Sequence, residues 1–336
     1  CCSIASMPTN SRARLNANKI LIVRTDGIGD ALVLAPLIVA LRAAGKTLGI
    51  VLSTRNAEIF APGAFAEVHV LERIPWPKHG STGKSLARVT REVRDAGYDA
   101  ALIASEEPEA YTLARRALVP VRIGFWNAWQ KPLKSLWVRT QCTRVIRRGA
   151  SLGDESRHEA EIVYQLGANC VNEPPPVDAT RLRDVIVGDA RLAPGPAVMQ
   201  LSPKWRAWGM PDDAFIALVR GLVLRGVKLV GTAEDLLASA VPADLDVACF
   251  DSLAPWKAAI ANASAVITPD SGAAHLAGML DVPVIDWFPV DGYDALVRRW
   301  RPWIAPYRAL HARADETVDA LIGRITGALD ALAPAT

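Results

Sequence analysis

Two series of short β-branched runs, each run followed by a longer amphipathic one, leave this chain few architectures. KILIVR (19–24) reads as a buried strand, and the residues from Asp30 to Ala44 read as a helix with Pro36 inside its span. LGIVLS (48–53), EVHVL (67–71) and DAALIA (99–104) are further strands, with the helical SLARVTREVRDAG between the last two. The pattern restarts after a proline-rich break, NEPPPVDA (172–179). PAVMQLS (196–202), GVKLVG (226–231), SAVITP (264–269) and VPVIDWF (282–288) form the second set, separated by helices of the DDAFIALVRGLVLRG type. Strands alternating with helices build parallel βαβ units. The expectation is therefore two α/β domains joined near 172–180. Such sheets bind ligands beyond the carboxyl ends of their strands, which places the site in the cleft between the domains.

Length and composition exclude other classes. The 336 residues suit about two domains. The longest near-continuous apolar run, 31–41, is about half of the ~20 residues a membrane-spanning helix needs. Residues 1–18 are polar and lack the apolar core of a secretory signal, so they are expected to form a disordered extension. Met7 is a candidate start, which would leave residues 1–6 outside the native protein. Five cysteines without a CxxC pair argue against a disulfide framework and a structural zinc site, and fit a reducing cytoplasm.

Charge is unevenly spread. Residues 1–176 carry a net +7 and residues 177–336 a net −4. Between Glu109 and Asp154 stand nine basic residues, Arg122 among them, and no acid. Trp126, Trp129 and Trp137 are interleaved with them. Such a stretch attracts an anionic partner: a nucleic acid, an acidic membrane surface or a phosphorylated glycolipid.

Three constellations carry candidate chemistry. Arg24-Thr25-Asp26-Gly27-Ile28-Gly29-Asp30 follows the first strand. Its glycines admit a ligand close to the backbone, and helix N-terminal amides favour anions. It is neither a dinucleotide fingerprint, since Leu32 stands where a third glycine is needed, nor a Walker loop. Asp30 reads either as a helix N-cap or as a general base for a hydroxyl nucleophile. Thr268-Pro269-Asp270-Ser271-Gly272-Ala273-Ala274-His275 is the second, with Asp270 and Ser271 as caps, Gly272 opening the turn for a diphosphate, and His275 one turn in. The third is Lys204-Trp205-Arg206-Ala207-Trp208, whose two cations suit a diphosphate leaving group or, alternatively, a surface loop. Gly231-Thr232-Ala233-Glu234-Asp235 is a weaker element, in which a carboxylate could accept hydrogen bonds from a ribose. Asp244-Leu245-Asp246 resembles a metal-binding DxD, but two carboxylates alone are thin coordination, and no metal is required.

Taken together these segments resemble glycosyltransferase family 9, the lipopolysaccharide heptosyltransferases. KILIVRTDGIGDALVLAPLIVALR is similar to the family's opening signature and VITPDSGAAHLAGMLDVPVIDWF to its C-terminal one; KWRAW, GTAED and ESRHEAEIVYQLGA lie in the right order. The resemblance spans roughly 19–330. It implies a GT-B fold: two Rossmann-like domains whose parallel sheets face each other across a cleft. Residues 19–172 would hold the acceptor and 180–312 the nucleotide sugar, with residues 313–336 as a helix packing back on the first domain.

In the same terms Asp30 matches the catalytic base, and Arg206 stands where the family usually carries a lysine on the donor phosphate. Asp270, Ser271, Gly272 and His275 match the donor loop, with Lys204 beside them and Glu234 as ribose partner. Arg24, Asp26, Gly27, Gly29 and Arg122 are assigned to the acceptor side. The reaction implied is an inverting transfer of heptose from ADP-heptose to an inner-core hydroxyl, with no cofactor beyond the donor substrate. The implied partners are a nucleotide-sugar donor and an anionic glycolipid acceptor, with peripheral contact at the cytoplasmic membrane leaflet and no nucleic acid. Two alternatives stay open: a GT-B transferase using another nucleotide sugar, and a non-catalytic nucleotide- or nucleic-acid-binding module that stacks bases on the tryptophan-rich basic stretch.

Overall fold

A computed structural model describes residues 16–74, 80–148, 157–171, 173–188, 193–239 and 241–332. The expected N-terminal extension lies almost wholly outside them. Among the described residues twelve strands fall into two parallel sheets, as the alternation predicts. The first sheet comprises β1 (Lys19–Val23), β2 (Thr47–Ser53), β3 (Glu67–Leu71), β4 (Ala100–Ile103), β5 (Val121–Trp126) and β6 (Arg144–Arg147), in the order β3-β2-β1-β4-β5-β6. The second comprises β7 (Val198–Gln200), β8 (Lys228–Gly231), β9 (Val247–Cys249), β10 (Val266–Pro269), β11 (Val284–Trp287) and β12 (Tyr307–Leu310), in the order β12-β11-β10-β7-β8-β9. Each order reverses beside its first strand, β1 or β7, so the crevice a doubly wound sheet offers a ligand opens at the carboxyl end of that strand.

The central strands are buried on both faces. Ile20, Leu21, Ile22 and Val23 of β1 are fully inaccessible, as are Val266 and Ile267 of β10. That burial on two sides is why these strands read as continuous apolar runs rather than alternating ones. The helix expected over 30–44 is broken into Ile28–Leu32 and Ala35–Ala43. Pro36 explains the break: it has no N–H to give and its ring crowds the carbonyl four residues back, so it sits in the first turn of a new helix. Among the described residues no helix is long and apolar enough to cross a membrane.

Two expectations on domain limits need correction. Helix Ala179–Ile186, placed with the second domain from the sequence, packs chiefly on helix Ala35–Ala43 of the first and also meets helix Gly272–Met279 of the second, and its Leu182, Val185 and Ile186 join an apolar cluster that both domains share. The last helix, Val318–Leu332, does not return to the first domain. Its apolar stripe of Leu321, Ile325 and Leu329 packs on helix Asp212–Leu224 and against β11 and β12, where Phe215, Leu218 and Leu222 present a matching apolar face. The segment that does return is 299–303. Arg299 Nε lies 2.8 Å from Glu159 Oε2, and Trp303 Nε1 donates to the Pro176 carbonyl at 3.1 Å. His158 takes part too. Burial pulls its pKa down to about 3, so the ring is neutral. Its Nδ1 accepts the Ala160 amide, which leaves Nε2–H to donate to the Arg301 carbonyl at 2.7 Å.

Candidate active site

The first-domain wall is the turn after β1. Asn56, buried just beyond β2, holds that turn from behind, with its amide 3.3 Å from the Asp26 carbonyl and 3.4 Å from that of Gly27. Arg24 is 1% exposed and spends its guanidinium inside the protein, donating to the Ala104 carbonyl and to Asp30 Oδ1, both at 2.5 Å. Gly27, not Asp30, is the helix N-cap. Asp30 stands at the third helical position and accepts the Gly27 amide on Oδ2 at 3.3 Å, the return half of a capping box. Burial acts to raise the Asp30 pKa, but the charge and hydrogen bond of Arg24, the Gly27 amide and His275 together outweigh it, and the net shift is downward. Asp30 is therefore a fixed carboxylate at neutral pH. Asp26 differs: burial pushes its pKa up despite Arg24, and it accepts from the Ser105 hydroxyl.

The second-domain wall is built from β7, β10 and the segments that follow them. Ser271 caps helix Gly272–Met279, accepting the Ala273 amide on its hydroxyl at 3.3 Å. The Lys204 ammonium donates to the Asp270 carbonyl at 2.6 Å and lies 4.8 Å from the Trp208 ring centre. His275 Nε2 is 3.3 Å from Asp270 Oδ1, and Trp300 packs on the imidazole at 5.5 Å between ring centres. Behind them Asp286 of β11 is wholly buried, with neither carboxyl oxygen hydrogen-bonded among the described residues. Burial first, and the Asp270 charge second, hold its pKa well above the usual carboxylate range, with the Lys204 charge pulling the other way.

The two walls touch at their glycines. Helix Ile28–Leu32 abuts helix Gly272–Met279. A Cβ on Gly29 would fall 2.3 Å from His275 Cδ2, and one on Gly272 would fall 2.8 Å from Ile28 Cγ2. A larger residue at either position requires the facing side chain, His275 or Ile28, to shift.

Two adjoining cavities open around this contact. One, of about 630 Å³, is lined by Gly27, Gly29, Asp30, Lys204, Asp270, Ser271, Gly272 and His275, with Arg55 and Trp300 completing it. The other, of about 430 Å³, has an apolar floor of Leu201, Phe250, Leu253 and Trp256 and a polar rim that includes Ser202, Thr232 and Asp235. Ile28, Arg55, Thr232, Leu253, Ser271 and Gly272 belong to both. The arrangement sets one ionised carboxylate opposite an ammonium and a capped helix N-terminus. It can take a proton from a hydroxyl on one side and hold a diphosphate on the other.

Four sequence assignments change. Arg206 does not line either cavity; its Nε lies 2.8 Å from Asp212 and its guanidinium 5.4 Å from the Phe215 ring centre. Lys204 and Arg206 stand two residues apart on one helical turn, Lys204–Ala207, so their side chains leave it in nearly opposite directions. Arg122 sits at the amino end of β5, away from the cleft, donating to the Gln141 and Val119 carbonyls at 2.7 and 2.6 Å. Arg24 is a buried support for Asp30 rather than a surface for an acceptor, and Asp26 stands behind the lining with Ser105. The Glu234 side chain lies outside the described residues; its neighbour Asp235 lines the smaller cavity and accepts from Thr232 N and Oγ1 at 3.1 and 2.9 Å. Asp244 of the DxD is an exposed bidentate partner of Arg220.

Arg55 and Trp300 were not anticipated. For Arg55 a signal existed, since it directly follows β2 and the carboxyl ends of strands form the binding edge. The tryptophan-rich stretch does not form a stacking platform: Trp137 is packed edge-on against Tyr111 and Trp126 is covered by Arg139, which leaves Trp129 alone exposed.

Comparison with known proteins agrees with this geometry. Residues 198–310 match the profile of glycosyltransferase family 9 (heptosyltransferase). No curated protein matches the chain by sequence. Among solved structures, a glycosyl transferase family 9 protein from Veillonella parvula superposes with a TM-score of 0.72 at 15% identity, covering 94% of this chain and 97% of that one. The E. coli heptosyltransferase WaaC with ADP gives 0.70 at 20% identity, over 94% and 100%. The E. coli ADP-heptose lps heptosyltransferase II gives 0.65 at 14%, over 93% and 99%. The GT-B architecture expected from the sequence is thereby borne out, and the family resemblance holds in the second domain.

Proposed function

We infer, for a chain whose residues 198–310 match the profile of glycosyltransferase family 9, that it moves a heptose from ADP-heptose to a hydroxyl of a lipopolysaccharide inner-core acceptor with inversion at the anomeric carbon. One observation carries the reading: Asp30, ionised and held by Arg24, lines the same cavity as Lys204 and the Ser271-capped helix N-terminus. In the reaction Asp30 accepts the proton of the acceptor hydroxyl as that oxygen attacks the anomeric carbon. The bond from that carbon to the phosphate oxygen breaks from the opposite face. Lys204 and the amides at the start of helix Gly272–Met279 receive the charge of the departing ADP. The smaller cavity, with its apolar floor of Phe250, Leu253 and Trp256, suits a purine, and Asp235 on its rim suits the ribose that would follow.

Thermal stabilisation by a panel of nucleotide sugars tests the donor. ADP-heptose at a hundredfold excess over its Kd should stabilise the folded protein by about 2.7 kcal/mol, with UDP- and GDP-sugars leaving the melting curve in place. Equal stabilisation by a UDP-sugar would instead favour a GT-B transferase of other donor specificity.

The two neighbouring cations separate by function. Lys204→Ala removes a charge-assisted contact of about 1.5–3 kcal/mol with the leaving diphosphate, so kcat/KM should fall about ten- to a hundredfold. Arg206→Ala removes a half-exposed ion pair with Asp212 and a contact over the Phe215 ring, both outside the cavity, and should leave kcat/KM within about twofold. The reverse ranking in initial-rate measurements would return the donor contact to Arg206.

A further inference from the structure

The connection after β5 leaves a surface that the transfer chemistry does not use. Trp129 is 91% exposed, Leu133 84% and Leu136 66%. Leu133 and Leu136, three apart on helix Pro132–Gln141, share its outer face, while Ser135, Val138 and Gln141 of that helix face inward; Trp129 stands in the single turn Ala128–Gln130 just before it. Contiguous exposure of three large apolar side chains marks an interaction site rather than ordinary surface.

The charge around this patch selects its occupant. Lys131 is more than half exposed beside it, Arg139 lies on the same helix, and Arg144 and Arg147 are exposed on the edge strand β6. Glu106 draws on Lys131, Lys134 and Arg148, but among the described residues Arg139, Arg144 and Arg147 have no carboxylate partner. No acid occurs in the sequence from 110 to 153. A segment that exposes Trp and Leu beside cations without carboxylate partners matches the interface of an anionic bilayer, where the rings and aliphatic chains enter the headgroup boundary and the cations meet phosphates.

We propose that Trp129, Leu133 and Leu136 dock the first domain on an anionic membrane surface. The patch begins at the carboxyl end of β5, on the edge of the sheet that faces the cleft. Docking there brings the first-domain side of the cleft to the bilayer, where a lipid-anchored acceptor presents its sugars. This deepens the glycolipid reading and takes its functional meaning from it.

Co-sedimentation with vesicles of phosphatidylethanolamine and phosphatidylglycerol, against vesicles of phosphatidylcholine alone, tests the proposal on the full chain. The protein should sediment with the anionic vesicles, lose most of that binding in high salt, and partition at least about tenfold less after Trp129→Ser, Leu133→Ser and Leu136→Ser together. Stabilisation by ADP should be the same in this variant as in the parent, which shows that it is folded. Unchanged vesicle binding in the variant overturns the proposal. So does equal binding to neutral vesicles, or a parent dimer that the variant converts to monomer, since the patch would then be a self-association surface. Vesicle binding that survives in a protein indifferent to ADP would leave the docking face standing and remove the transferase reading.

Discussion

Asp30→Ala is expected to lower turnover by about 10²–10⁴, the usual contribution of a positioned general base, while ADP binds as before. Alanine alone is an incomplete test. Arg24 is 1% exposed, and without Asp30 its buried guanidinium keeps only the Ala104 carbonyl and, at 3.5 Å, the Asp26 carboxylate. The alanine variant therefore loses stability as well as its base. Asp30→Asn separates the two effects, because the amide oxygen still accepts from Arg24 but cannot take a proton; its rate should fall as far as that of the alanine variant. The pH dependence has a definite sign. The folded pKa of Asp30 lies below its ordinary value, so the stability from its pairing with Arg24 is fully present above the unfolded aspartate pKa of about 3.9 and is lost as pH falls through the folded value. The acid limb of the parent rate due to Asp30 must accordingly lie below about pH 4. An asparagine variant retaining more than about a tenth of the parent rate would remove Asp30 from the role of base.

The sequence was most informative where physics repeats locally. Strands buried on two faces announce themselves as unbroken apolar runs, and β1, β2, β4 and β10 were all visible for that reason. The missed strands, β5, β6, β9 and β12, are half-buried or lie at sheet edges, where Arg144 and Arg147 belong as much as Val145 and Ile146. Both glycine-containing turns were legible because each follows a strand and opens a helix. Direction was not legible. Whether Lys204 or Arg206 enters the cleft depends on the rotational phase of a single helical turn, which one stretch of sequence does not reveal. Arg24 posed the same problem in another form. An arginine beside two aspartates reads as a binding surface until the carbonyl of Ala104, brought by β4, is seen to bury it. Asp286 was hidden within VPVIDWF, since nothing in an apolar strand distinguishes a buried acid from an exposed one.

The same reasoning about buried charge identifies the contact that holds the domains in register. Glu159 is wholly inaccessible and lies between two arginines, Arg148 at the end of the first sheet and Arg299 in the second domain. Both arginines are themselves buried, so the carboxylate is their counter-charge where water cannot substitute. Glu159→Ala should cost about 3–5 kcal/mol in urea unfolding, because removing one partner of a buried pair strands the other: Arg299 loses its carboxylate, while Arg148 keeps Glu106. Glu159→Gln keeps the shape and one acceptor oxygen, and its loss should be smaller. A second consequence follows from location. Arg299 adjoins Trp300, which packs on His275 in the cleft, so loosening Glu159 should also raise the KM for the donor in a variant that remains folded. Arg299→Met, which removes the second-domain cation alone and leaves Glu159 paired with Arg148, should reproduce the KM effect with less destabilisation. If Glu159→Ala shifted the urea midpoint by no more than an exposed ion pair does, about 1 kcal/mol or less, the register of the two domains would have to rest on the glycine contacts of Gly29 and Gly272 and on the Lys257 ammonium, which donates across the interface to the Ile59 and Ile186 carbonyls at 3.1 and 3.0 Å.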